Sequence, residues 1–213
     1  MIWYSARLMA LICFLAGVWM PVCPAEMPQS LLKDALTAYQ QDNYERFSQS
    51  VRNALKVPWY PSEFGPDFRL VDVAAAEKGN VSFSMLREVA RAFRTRSART
   101  VTVDRADALL AVDFLLKLLR SHSPQPDMYF FVFHACWWGT EPILHRYADR
   151  SENAEMRRIL ADLRGYQREE VQEVRSRREW YLGDSSRLAA YARKRWSKWE
   201  GRLRRLRYLL STH

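Results

Sequence analysis

The hydrophobic positions of this chain form one continuous apolar run with amphipathic segments on either side of it. The run lies within Asp127–Tyr147 and is apolar around its whole circumference from Met128 to Trp138. Such a segment belongs in the interior whatever its local conformation. The flanking segments place apolar residues at helical spacing and are expected to cover it. The pattern therefore predicts a fold organised around residues 127–147.

Proline placement favours helices on both sides of this run. Residues 67–123 and 143–213 contain no proline, and both tracts are rich in Ala, Leu, Arg and Glu. Long proline-free stretches of good helix formers are typical of helical proteins, and the chain has too few glycines for many tight β-turns. We predict an all-α protein with a multi-helix, orthogonal or bundle-like domain at 26–150.

Capping residues and periodicity divide this domain further. The predicted helices are 31–39, capped by Ser30; 44–57; 67–78; one that starts at Ser82 or Ser84 and reaches about Arg96; and 106–120, capped by Asp104. The loop 58–66 is expected to be pinned onto the core by Trp59 and Phe64, or else to expose its aromatic side chains to a partner.

Residues 151–213 are predicted to form a long antiparallel helical hairpin, either packed on the core or extending from it. Ser151 is a suitable N-cap, and the first helix is expected to continue to Leu182. Gly183 is suited to end that helix, and the last helix is expected to run back to about Leu210. The middle of the first helix, 168–179, is nearly all charged, so much of it is expected to face water.

The first 25 residues have the pattern of an export signal. Arg7 precedes the apolar run Leu8–Val22, and Cys23-Pro24-Ala25 offers small side chains for cleavage before Glu26. We expect an exported protein, periplasmic if the source is bacterial and otherwise secreted. An uncleaved N-terminal membrane anchor is the alternative. Cleavage would leave Cys136 as the only cysteine, so no internal disulfide is expected.

Positive charge is concentrated in the last helix. Residues 26–213 carry 32 Lys and Arg against 24 Asp and Glu, and residues 184–213 alone carry nine against two. The apolar residues of this helix fall in one arc about 80° wide, which includes both tryptophans. The predicted binding residues are Arg193, Lys194, Trp196, Lys198, Trp199, Arg202, Arg204, Arg205 and Arg207.

This pattern indicates an exported, non-enzymatic interaction protein that binds an anionic membrane surface or an acidic partner protein. The alternative for the helix itself is that its apolar arc packs on the preceding helix and its basic side is solvated. Nucleic acid is not the expected partner, because no nucleic-acid motif is present.

One cluster could support catalysis: His134, Cys136, Glu141 and His145. A Cys–His pair could act as a nucleophile and its base, and Glu141 beside Trp137 and Trp138 could act as an acid in a glycan groove. The alternative function is therefore an envelope hydrolase acting on a glycan or peptide near His134–His145. The competing interpretation is core packing, or a polar turn at Gly139-Thr140. The spacing matches no established metal site, and no cofactor motif is present.

Overall fold

The computed structural model describes residues 27–62, 80–99, 102–121 and 126–212, and this part of the chain is all-α, as predicted. The expected export signal, the helix predicted at 67–78 and Phe64 lie outside the described residues. The helices are α1 (Pro28–Gln40), α2 (Tyr44–Lys56), α3 (Phe83–Arg99), α4 (Arg105–Arg120), α5 (Pro126–Arg150), α6 (Ala154–Ser176), α7 (Arg178–Leu182) and α8 (Ser185–Thr212). Two three-residue strands, β1 (Tyr60–Ser62) and β2 (Asn80–Ser82), pair in parallel and were not predicted.

The predicted apolar run is helix α5, and it lies at the centre of the fold. Helices α3, α4, α6 and α8 all contact it. Phe133, Cys136, Trp137 and Ile143 are completely buried. Burial of a large apolar side chain contributes about 1.5–3 kcal/mol, so the side chains of this helix supply much of the stabilisation. The expected central position of the segment is confirmed.

Helices α3 and α5 approach each other closely at Gly139. A Cβ atom at this position would lie 2.6 Å from the backbone oxygen of Ala90, so only glycine fits. The next residue, Thr140, is completely buried, and its hydroxyl donates to the carbonyl of Cys136 at 2.9 Å. The alternative of a polar turn at Gly139-Thr140 is therefore wrong, because both residues lie within α5 and face the core.

Three N-caps were predicted, Ser30, Asp104 and Ser151, and the structure confirms only Asp104. Asp104 accepts a hydrogen bond from the amide of Asp107 at 2.8 Å, as a capping residue does. Ser30 does not cap α1, because the helix already begins at Pro28. Ser151 does not cap α6, because Glu152 adopts a positive φ of 54° and the amide of Met156 is instead capped by Asn153.

The helix expected to continue to Leu182 is interrupted. Helix α6 ends at Ser176, and a separate turn of helix, α7, follows Arg177. The break lets Tyr181 turn inward, where it is 5% exposed and packs in a small cluster with Val174 and Leu188. Its hydroxyl lies 3.3 Å from a carboxylate oxygen of Glu173.

Helix α8 packs on α4, α5 and α6, and its apolar arc is part of the main core. Trp199, Leu203 and Leu206 are at most 1% exposed. The arc thus covers several core helices and not only the preceding one. None of the described helices combines the length and the apolar character that a membrane span requires.

Candidate functional site

The two tryptophans of the predicted binding surface lie on the inner side of α8. The Trp199 ring is completely buried and packs edge-on against Phe133 and Trp137, with 5.1 Å between ring centroids in each pair. Trp196 is partly buried against the same core. Trp199 therefore belongs to the hydrophobic core. It is not accessible for the binding role predicted for it from the sequence. Contact with a membrane through Trp199 would require α8 to leave the core.

The arginines near the end of α8 are engaged within the protein. Each forms an ion pair with a carboxylate: Arg202 with Asp162 at 2.9 Å, Arg204 with Glu200 at 2.7 Å, Arg205 with Glu155 at 2.8 Å and Arg207 with Asp113 at 2.5 Å. Partly exposed pairs of this kind contribute about 0–1 kcal/mol each. Their charges are largely balanced locally, which lowers their capacity to attract a partner.

Arg193, Lys194 and Lys198 differ from these arginines. All three side chains are exposed, and none forms an ion pair with any described residue. Gly201 lies on the same outer side of α8, where a Cβ atom would meet no other atom within 4 Å. This side of the helix is therefore open, and its positive charge is not balanced by neighbouring carboxylates. We call Arg193, Lys194 and Lys198 the outer basic face.

A buried polar network connects α5, α6 and α8 around Glu170, which is 1% exposed. Its carboxylate accepts a hydrogen bond from the indole Nε1 of Trp199 at 3.0 Å and one from Nε of Arg195 at 2.8 Å. Nε2 of His134 lies 3.2 Å from the second carboxylate oxygen. Burial raises the pKa of Glu170, but the contacts with His134, Arg195 and Trp199 outweigh it and leave the pKa below its ordinary value. This arrangement keeps the carboxylate charged in the core.

A second carboxylate, that of Glu141, lies on the side of α5 that carries His134. Nε of Arg164 donates to Glu141 at 2.6 Å, and Nε2 of His145 lies 3.5 Å from the same oxygen. Burial raises the pKa of Glu141, but the contacts with His145 and Arg164 outweigh it, so the pKa is lowered. An ionised glutamate held in this way is unsuited to the general-acid role considered for it, which requires a raised pKa.

Cys136 occupies a different side of α5 from His134, because residues two positions apart in a helix are separated by about 200°. The thiol is completely buried, and its sulfur lies 3.6 Å from the carbonyl oxygen of Leu86. Burial raises the pKa of Cys136, which disfavours the thiolate that nucleophilic catalysis needs. The structure therefore distributes the four catalytic candidates over three separate contacts and does not assemble them in one site.

Metal binding finds no support in the described part of the chain. Within it, no three His, Cys, Asp or Glu side chains are grouped as a ligand set would be. His134 and His145 instead each face a single glutamate.

Glu170 was missed because it lies in the charged stretch 168–179, which was expected to face water. Its spacing from the apolar residues of the same helix could have identified it. Leu163, Glu170 and Val174 are spaced at seven and four residues, so they share one side of α6. Leu163 and Val174 are both buried, and Glu170 lies between them. A carboxylate on an apolar line of a helix is a candidate for a buried, paired charge.

The comparisons with known proteins identified no relative of this chain. No protein-family model, no curated protein and no solved structure matches this sequence.

Proposed function

We propose that this protein is an exported, non-enzymatic interaction protein that binds an acidic partner protein through the outer basic face of α8. The observation that supports the proposal is the contrast along that helix. Arg193, Lys194 and Lys198 are exposed and have no carboxylate partner among the described residues, whereas the arginines nearer the C-terminal end are paired. Unbalanced charge on one side of a protein attracts oppositely charged partners and accelerates their association.

An acidic protein is favoured over a membrane because of what lies beneath this face. An interfacial helix inserts its apolar side into the lipid while its basic side contacts headgroups. In α8 the apolar side is occupied by Phe133, Trp137 and the rest of the core. A partner would therefore contact only the polar side of the helix, as protein surfaces with complementary charge do.

The catalytic alternative has less support. A hydrolase near His134–His145 would need its groups to converge on an accessible substrate position. Cys136 is buried against Leu86, His134 lies beside Glu170, and Glu141 pairs with Arg164. We therefore retain interaction as the proposed function.

Charge reversal of the outer basic face tests the proposal. The variant Arg193→Glu/Lys194→Glu/Lys198→Glu should lose acidic partners that the unchanged protein retains from an envelope extract at low salt. The matched control is Lys33→Glu/Arg46→Glu/Arg87→Glu, which makes the same change in net charge at exposed positions of α1, α2 and α3. Retained proteins are identified by mass spectrometry, and circular dichroism verifies that both variants are folded.

The control should keep the same partners. If both variants lose the same proteins, binding depends on net charge alone and the proposal fails. If neither variant loses any, the outer basic face is only solvated. Sedimentation with anionic vesicles provides the membrane comparison, and loss of vesicle binding without loss of any protein partner would contradict the choice of an acidic protein.

A further inference from the structure

A cleft of about 1050 Å³ lies between α2, α4 and α8, on a different part of the molecule from the outer basic face. It follows α4 from Ala106 to Arg120, a length of roughly 21 Å at the usual rise per residue. This is about the length of six residues of extended chain. The cleft is therefore large enough for a peptide segment and not only for a single ionic group.

The charges lining this cleft are almost all positive. Asp113 is the only acidic residue among its described lining residues. The basic residues come from all three helices and are Arg52, Lys56, Lys117, Arg120, Arg204 and Arg207. Because they lie on three helices around the cleft, they favour a ligand that carries several negative charges.

Half of these cations have no ionic partner among the described residues. Arg120 and Arg204 share the carboxylate of Glu200, and Arg207 pairs with Asp113. Arg52, Lys56 and Lys117 form no ion pair within the described part of the chain. Lys117 is partly buried and has no carboxylate partner among the described residues, and this desolvation lowers its pKa. An anion in the cleft would compensate for that loss of hydration.

The cleft also has a rigid apolar wall. Trp59 is 2% exposed, and its indole Nε1 donates to the carbonyl of Ala54 at 2.8 Å. Its ring packs edge-on against Phe114, with 5.9 Å between the centroids, and Nζ of Lys117 lies 5.8 Å from the Trp59 ring centroid. Leu109 and Tyr208 add accessible apolar surface. A cation beside a fixed aromatic wall suits a chain in which acidic side chains flank an apolar one.

We infer that this cleft binds an extended acidic segment of a partner protein, about six residues long, with an apolar side chain near its middle. Its carboxylates pair with Arg52, Lys56 and Lys117. Its apolar side chain packs on the apolar wall, where Leu109 and Tyr208 are accessible and Trp59 is almost completely buried. The inference rests on the proposed function, because it gives the same class of partner a second contact. The occupant is a peptide and not a compact anion, because the cleft follows α4 from Ala106 to Arg120 and its cations come from three different helices.

The test is a fluorescence-anisotropy titration of the intact protein with a labelled peptide in which glutamates flank a single leucine. The unchanged protein should bind this peptide, and raising the salt concentration should weaken the binding. Arg52→Glu/Lys56→Glu should lower the affinity by about tenfold or more. The matched control Lys33→Glu/Arg87→Glu makes the same charge change at exposed positions of α1 and α3, outside both the cleft and the outer basic face, and should change the affinity by less than about twofold.

A second peptide, with serine in place of the leucine, should bind about threefold or more weakly if an apolar side chain occupies the wall beside Trp59. Equal weakening by the two charge-reversal pairs would overturn the inference, as would equal affinity for the two peptides. Inorganic pyrophosphate and anionic vesicles are tested in parallel. The inference is also overturned if either of these probes binds and Arg52→Glu/Lys56→Glu weakens that binding by about tenfold or more, while the peptide does not bind.

The two proposals fail separately. If the peptide does not bind but reversal of Arg193, Lys194 and Lys198 removes partners from an extract, the cleft inference fails and the proposed function stands. If the peptide binds in the cleft but the extract experiment shows no loss of partners, the outer basic face is not the binding surface.

Discussion

Arg94 of α3 compensates for a hydrogen bond that α5 loses at Trp138. Its guanidinium donates to the carbonyl oxygen of Trp138 at 3.3 Å and lies 3.4 Å from the centroid of the indole ring. In a regular helix that carbonyl would accept from the amide of residue 142, but residue 142 is a proline and has no N–H. The arginine thus allows a proline inside the central helix.

This relationship predicts coupled effects of substitutions at the two positions. Arg94→Ala should lower the free energy of unfolding by about 1–2 kcal/mol, because it removes both the hydrogen bond to this carbonyl and the contact with the indole ring. In a Pro142→Ala background the helix supplies its own N–H donor. The same substitution should then cost only the loss of the ring contact, about 0.5–1 kcal/mol.

Urea unfolding of the four proteins in this double-mutant cycle measures the coupling. Arg91→Ala is the control, because Arg91 is an exposed arginine of the same helix whose guanidinium pairs with Glu88. It should change stability by less than about 0.5 kcal/mol. Equal costs of Arg94→Ala in the two backgrounds would show that Arg94 does not replace the missing donor.

Substitution by alanine should change the stability of the protein in opposite directions at Gly139 and Gly201. Gly139→Ala places a Cβ 2.6 Å from the Ala90 carbonyl and should destabilise the protein by about 1–3 kcal/mol, because α3 and α5 would have to separate. Gly201→Ala adds a methyl group in open space and should stabilise α8 by up to about 1 kcal/mol. Thermal and urea unfolding measure both effects. Destabilisation by both substitutions would contradict the open surface at Gly201.

The stabilisation provided by Glu170 should depend on pH. Its pKa is lowered in the folded state, so its contribution is present above the carboxyl pKa of the unfolded chain and is lost as the pH falls through the lower folded value. Glu170→Gln should therefore cost about 1.5–3 kcal/mol near pH 7. The difference from the unchanged protein should shrink as the pH falls below the carboxyl pKa of the unfolded chain and through the lower folded value, because Glu170 then becomes neutral, as glutamine is.

The matched control is Glu169→Gln. Glu169 also contacts Arg195, at 2.9 Å, but its side chain is 67% exposed. Its replacement should cost less than about 1 kcal/mol. Urea unfolding at several pH values compares the two variants. A cost of Glu170→Gln that does not change with pH would mean that the charge of this carboxylate does not stabilise the fold.

Much of the fold could be predicted from local pattern. The run around Trp137 has no polar side, which predicted its burial, and most of it is buried although Phe131 and Trp138 are each 51% exposed. The cap at Asp104 places the start of α4 correctly. The apolar arc of α8 was also found, because helical periodicity identifies a face. Periodicity does not identify what covers that face, so the burial of Trp199 in the main core could not be derived.

The candidate sites were harder to predict because they depend on contacts distant in sequence. Arg52 and Lys117 line one cleft only because α2 packs against α4. Glu170 is buried because three helices meet around it, although its neighbours in sequence are charged. The parallel strands β1 and β2 are three residues long, too short to give a recognisable alternation.

The place of α8 in the core has a consequence for biosynthesis. Trp199, Leu203 and Leu206 belong to a core whose first described member is Leu31, so helices α1 and α8 are joined in one packed unit. Ribosomes add about 5–20 residues per second. While the residues between α5 and α8 are being added, the apolar sides of α4 and α5 lack the cover that α8 provides. The packed core around Trp199 can therefore form only after α8 has been made.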